Sequence, residues 1–196
     1  MKTLLVTSVA LAAITFSACG GSSTSSNENS TKADTSISKQ ATSPAETTNN
    51  NPVNDVTAAY LQIKNGLAND NGNEAATGGK NFNDALAKVD KSSMTAEQKK
   101  SFDDVADDAK EMAEHISTNA GKIEHQREHF DMLSKDMYDL VKTAGAGQTL
   151  YQDFCPMYNN KKGASWLSET KDIKNPYMGK KMTTCGTIKE EIKQKS

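Results

Sequence analysis

Several signatures of catalysis are missing from this sequence. It has no nucleophile elbow, no phosphate-binding glycine loop, no paired-histidine zinc helix motif and no Cys-x-x-Cys. The usual seats of hydrolysis, nucleotide chemistry and dithiol exchange are therefore absent, and a non-enzymatic role is expected. Cys155 as a nucleophile with a histidine base is the weakest of the readings. Charge of one sign is also scarce, with a formal net charge of −2. That balance gives no reason to expect nucleic acid as a partner. Tryptophan occurs once, and histidine and cysteine three times each, in 196 residues. Any chemistry that needs sulfur or imidazole must therefore use a few known positions.

What is present begins with a leader. Met1-Lys2 supplies a positive charge, Leu4 to Phe16 is an apolar run, and Ser17-Ala18-Cys19 follows. This is the pattern of a secretory signal, and the run is too short to span a bilayer comfortably as a permanent helix. Phe16-Ser17-Ala18-Cys19 resembles the lipobox of bacterial lipoproteins, with Phe where Leu is commoner. The resemblance implies a signal peptide over 1–18, with Cys19 as the lipidated mature N-terminus. It also implies an outer-membrane-anchored lipoprotein of the cell envelope, facing the periplasm or the cell surface. Residues 19–52 are then the lipidated Cys and a disordered tether, because a Ser/Thr/Asn-rich stretch buries too little apolar surface to offset the entropy of ordering it. Loss of Lys2 with the leader takes the formal charge from −2 to −3.

The folded domain is expected over 53–196, as an all-α, up-and-down antiparallel bundle of about four helices. Asn54 or Asp55 caps a first helix with Val56, Tyr60, Ile63 and Leu67 on one face. A second carries Phe82, Leu86 and Val89, with Gly78-Gly79 weakening its first half. Thr95-Ala96-Glu97-Gln98 has the shape of a capping box and opens a third, with the stripe Phe102, Val105, Ala109, Met112 and Ile116. The fourth carries Ile123, Phe130, Leu133, Met137 and Leu140 and stops at Gly145-Ala146-Gly147. Connections this short make neighbouring helices antiparallel.

All three histidines fall on the hairpin of the third and fourth helices. His115 lies five residues before Ala120 and His125 five after it. At about 100° per residue, both sit to the same side of their own stripes and line one groove. His129 is one turn further along. The three imidazoles are expected to converge, with Met112 and Met132 near in sequence. The bland alternative is a solvated face, since Glu111, Glu114, Glu124 and Glu128 share these turns.

The tail is expected to be an irregular segment packed on the bundle. It has turn residues and no strong helical period, and it holds Cys155, Cys185, Met157, Met182 and Trp166. Two thiols and two thioethers suit copper and related soft ions, with a histidine completing the site. The alternative is a Cys155–Cys185 disulfide, expected for two leftover cysteines outside the cytoplasm. A disulfide and a thiolate site exclude each other, and the residues leave both open.

The stretches Tyr60-Leu61-Gln62-Ile63-Lys64-Asn65-Gly66-Leu67, Gln126-Arg127-Glu128-His129-Phe130 with Leu133-Ser134, Cys155-Pro156-Met157, Gly163-Ala164-Ser165-Trp166-Leu167-Ser168, Ile173-Lys174-Asn175-Pro176-Tyr177 and Met182-x-x-Cys185-Gly186 carry a further resemblance. Together they resemble an uncharacterised domain of bacterial envelope proteins, domain-of-unknown-function family 3347. Ser165 stands where that family often has an aromatic, and Met178 where it often has Phe. The family occurs on lipoproteins and on periplasmic adaptor subunits of copper/silver-type heavy-metal efflux pumps. The resemblance implies a role near copper or heavy-metal handling, with an efflux or envelope protein as partner. The alternative is a non-catalytic interaction module that the disulfide stabilises, docking through a Trp166/Tyr177 surface.

Overall fold

The computed structural model describes residues 51–194. The leader 1–18, Cys19 and nearly all of the tether lie outside the described residues. Four long helices come first: α1 (Asn54–Ala68), α2 (Gly72–Leu86), α3 (Ala96–Thr118) and α4 (Ile123–Ala144). Each packs on the next, and α1 also meets α4. Then come β1 (Leu150–Cys155), a short turn α5 (Tyr158–Lys161), β2 (Ala164–Ser168) and β3 (Thr187–Ile192). Among the described residues no helix is long and apolar enough to cross a membrane.

The strands correct the all-α expectation. They form an antiparallel sheet in the order β2-β1-β3, so the tail has a backbone ladder after all. Two features hide it in the sequence. The buried residues of β1, Leu150, Asp153 and Cys155, do not alternate, and β3 carries an extra residue, Lys189, opposite the step from Gln152 to Asp153. β3 is Thr-Ile-Lys-Glu-Glu-Ile, mostly exposed, and its Lys and Glu residues are poor strand formers.

The helix starts follow local chemistry. The capping box at α3 forms, with Thr95 Oγ1 accepting from the Gln98 amide at 3.2 Å and Gln98 Oε1 accepting from the Thr95 amide at 2.8 Å. At α1 the cap position is Val53 and has no side-chain cap bond, so neither Asn54 nor Asp55 caps it. Asp55 lies in the first turn instead, where the helix dipole favours a carboxylate. Asn51 holds this end, donating to the Ala144 carbonyl at 2.9 Å and accepting from the Val53 amide at 3.0 Å.

Gly78 and Gly79 do not break α2, which runs unbroken through them. A Cβ on Gly78 would lie 2.7 Å from the Ile63 nitrogen, and one on Gly79 would lie 2.6 Å from the Ala113 carbonyl oxygen. The absent side chains let α1 and α3 close on α2, and packing outweighs the propensity cost of about 1 kcal/mol per glycine.

The core joins helices to tail through aromatic rings. Tyr60 stacks on Phe130 at 5.1 Å, Phe130 meets Tyr177 at 5.7 Å, and Tyr177 meets Trp166 edge-on at 5.9 Å. The Tyr60 hydroxyl pairs with Ser134 Oγ at 2.8 Å and accepts from the Leu167 amide at 3.0 Å. Trp166 and Tyr177 are buried. The docking surface expected from them does not exist, because their faces are spent on the core.

Arg127, also buried, binds three groups from distant segments and one from its own helix. Its Nε donates to the Pro176 carbonyl at 2.8 Å, and Nη2 donates to the Leu67 carbonyl at 3.0 Å. The Asp70 and Glu124 carboxylates complete its shell.

Candidate metal centre

The centre is built on the α3–α4 hairpin. α3 presents His115 one turn before its end, and α4 presents His125 and His129 four residues apart on one face. The turn after Asn119 brings these faces together, and Asn119 Nδ2 donates to the His115 carbonyl at 2.9 Å. One ligand atom from each imidazole lies within 4.8 Å of the others. His115 and His129 stack with centroids 4.3 Å apart, while His125 stands edge-on to both. All three are half-buried.

The hydrogen-bond partners divide the ring nitrogens into two sets. The Nε2 atoms of His125 and His129 lie 3.2 Å apart. Behind them, His125 Nδ1 lies 3.3 Å from Glu128 Oε2, and His129 Nδ1 lies 3.3 Å from Met112 Sδ. His115 Nε2 is 3.7 Å from Glu111 Oε1. A carboxylate behind Nδ1, as at His125, fixes the Nδ1–H tautomer and frees Nε2 as a ligand, whereas Glu111 faces Nε2 of His115 and leaves Nδ1 free on that ring.

Proton counting shows what this arrangement needs. A neutral imidazole has one donor and one acceptor nitrogen. Glu128 takes the His125 Nδ1–H, so His125 Nε2 is an acceptor. If His129 donates from Nε2, its bare Nδ1 faces the Met112 sulfur, itself only a weak acceptor. If it donates from Nδ1, two Nε2 lone pairs oppose each other. A second proton on His129 would satisfy both contacts. Burial, and after it the neighbouring His115 and His125 charges, hold His129 below its ordinary value and disfavour that proton. A cation between the Nε2 atoms satisfies every contact at once.

In the tail, the Cys155 and Cys185 sulfurs lie 2.7 Å apart, with Cys155 buried in β1 and Cys185 partly exposed before β3. Burial, then the adjacent Cys155 sulfur, push the Cys185 thiol up to about 11. That favours the protonated thiol, which is a poor ligand. Met157 and Met182 are exposed, at 46% and 40%. Among the described residues the histidine triad is the group of three or more His, Cys, Asp or Glu side chains that converges, and neither thiol belongs to it. The structure thus brings the histidines together and the cysteines together, as two separate clusters.

The sequence reading missed the roles of Glu128 and Met112. Glu128 at i+3 from His125 was the available signal. A buried acid also went unnoticed. Asp153 has no hydrogen-bond partner for either oxygen, and burial pushes it up to about 7 against the opposing pull of Lys64. Lys64 is itself buried, and its ammonium donates to Glu169 at 2.6 Å.

Residues 56–149 match the model of a family described as a protein of unknown function (DUF3347), which supports that domain family for the helical part. The match ends just before β1. No curated protein and no solved structure matches the chain.

Proposed function

We propose, from a helical domain of that family as premise, that this chain is a bacterial envelope lipoprotein that binds a soft heavy-metal ion, copper favoured, in metal handling or efflux. The ion sits between His115, His125 and His129. The observation that carries this reading is the pair of facing Nε2 atoms 3.2 Å apart, each ring backed at Nδ1 by Glu128 or Met112. Two nitrogens about 2.05 Å from a tetrahedral ion lie about 3.3 Å apart, so the observed spacing fits a shared ion. Imidazole suits copper, zinc, iron and nickel alike. The heavy-metal setting implied by the family resemblance is what favours copper. No enzymatic role is proposed, and the lipid on Cys19 would tether the domain to the membrane.

The test is calorimetric titration of the purified protein with copper and zinc ions. Uptake of one ion per chain, abolished in His125→Ala and His129→Ala, supports the reading. No uptake by the unaltered protein ends it. Cys19→Ala should release the protein from the membrane fraction, and unchanged fractionation would end the lipoprotein part.

A second reading rests on the 2.7 Å sulfur spacing. It makes the tail a disulfide-closed interaction module on an envelope or efflux partner. A Cys155–Cys185 disulfide leaves the triad free to bind an ion, so the two readings compete only over the role of the tail.

A further inference from the structure

Beside the triad lies a cleft of about 390 Å³ bounded by Asp108 and Met112 of α3 and Met132, Lys135 and Asp136 of α4. Met112 belongs to both places, since its Sδ lies 3.3 Å from His129 Nδ1. We propose that this cleft is an access and selection site for a monovalent thiophilic cation, Cu(I) or Ag(I), held by the Met112 and Met132 thioethers and the Nδ1 edge of His129. The proposal rests on the metal-binding reading of the triad and gives that site its cargo class.

The groups lining the cleft support the choice of ion. Met132 is 42% exposed on the surface of α4, a position where an apolar side chain gains little from burial. A thioether there costs little, binds soft ions of low charge and is ignored by hard or strongly hydrated ones. The rim is acidic. Asp108 is exposed and Asp136 half-buried, and burial followed by the Asp108 and Asp139 charges pushes Asp136 up to about 6. The facing carboxylates repel one another until a cation enters. Lys135 is the one cation on the rim, and its ammonium is occupied by Asp131 at 3.3 Å.

His129 is then a ligand with two edges. Nδ1 meets the sulfur of Met112, which lines the cleft, and Nε2 meets His125. An ion on the Nδ1 edge needs that nitrogen unprotonated, which is the tautomer that donates from Nε2 to His125. An ion on the Nε2 edge needs the opposite tautomer. The ring therefore holds one ion at a time, outer or inner, and a soft ion passes from thioethers to imidazoles by exchange of one ring proton.

The test uses Ag(I) as a redox-inert probe for Cu(I), and Zn(II) as the ion indifferent to thioethers. Both are titrated into the unaltered protein and into the Met112→Leu/Met132→Leu double variant, whose shape change is small. The expected result is a loss of about tenfold or more in Ag(I) affinity, with Zn(II) affinity within about twofold. In parallel, the methyl resonances of Met112 and Met132 in the unaltered protein should shift with Ag(I) and stay in place with Zn(II). An unchanged Ag(I) affinity with unmoved methyl resonances overturns the cleft proposal and leaves the triad reading standing. Equal losses for both ions also overturn it, because the thioethers would then act only by placing His129. If the unaltered protein takes up neither ion, the triad reading itself falls.

Discussion

The imidazoles of His125 and His129 face each other through their Nε2 atoms at 3.2 Å, and each turns its Nδ1 to a fixed partner. Neutral rings cannot satisfy all of these contacts, whereas one further proton or a shared ion can. The relationship arises from i, i+4 spacing on one helix, with α3 supplying His115 as the third ring.

Glu128 holds the His125 tautomer. Glu128→Gln keeps the shape and loses the charge, and it should weaken ion binding by about tenfold, the low end for such supporting carboxylates because Glu128 is exposed. Titration calorimetry of the variant beside the unaltered protein checks this. An affinity loss as large as that of His125→Ala would mean that Glu128 is itself a ligand.

Ion binding should persist into mildly acid solution. An ordinary histidine gains its proton below about pH 6.5, and a protonated ring is no ligand. His129 is held lower than that by burial and its neighbours. His129 should therefore keep its lone pair for the ion further into acid than an ordinary histidine would. Without an ion, the same lowered value means that the folded state binds fewer protons than the unfolded one, so His129 costs stability as pH falls below about 6.5. Melting curves with and without ion from pH 7.5 to 5 report both effects.

Oxidation should lock the tail. A Cys155–Cys185 crosslink closes a 30-residue separation and is worth about 3–4 kcal/mol by chain entropy. Cys155→Ser and Cys185→Ser should each remove that amount from oxidised protein, and the double variant should lose little more than either. Thiol counts with denaturant melts, before and after reduction, decide it. Equal stability of the oxidised and reduced forms would rule the lock out.

Phe130 is fully buried between Tyr60 and Tyr177. Phe130→Ala should cost about 3–5 kcal/mol in urea unfolding, since the cavity is walled by rings that cannot easily collapse. A cost under about 1 kcal/mol would show that this site can collapse.

Asp153 makes the sheet lose stability as pH rises from about 4 to about 7. Its carboxyl, raised to about 7 in the folded state against an ordinary 3.8, stays protonated in the fold while the unfolded chain has already ionised. The folded state thus holds more protons between these values, and stability falls as pH rises through the window. Asp153→Asn should abolish that decline and gain on the order of 2 kcal/mol at pH 8, with little change at pH 3.5. Parallel pH profiles for the two proteins would show instead that Asp153 is solvated and titrates at its ordinary value.

The helices were legible wherever local chemistry and burial agreed. The Thr95–Gln98 box and the Phe102–Ile116 stripe specify α3 within one segment, and the histidine groove followed from helical geometry alone. The sheet was not legible, because β1 buries Asp153 out of alternation and β3, with its extra residue at Lys189, is written in Lys and Glu. Gly78-Gly79 reads as a weakness until the partner backbones that close on it are known. Lys64 and Arg127 look like surface cations. Their partners lie 105 and 49 residues away in the chain, beyond any local pattern.

Arg127 binds the Leu67 carbonyl at the end of α1 and the Pro176 carbonyl deep in the tail. The chain from 67 to 176 is thus a circuit whose two ends meet on one guanidinium. Cutting that circuit after residue 149 would strip the tail from a buried cation and expose the Tyr60–Phe130 pair. The helical stretch matched by the family should for this reason not fold alone, and helices and sheet should melt in a single cooperative transition.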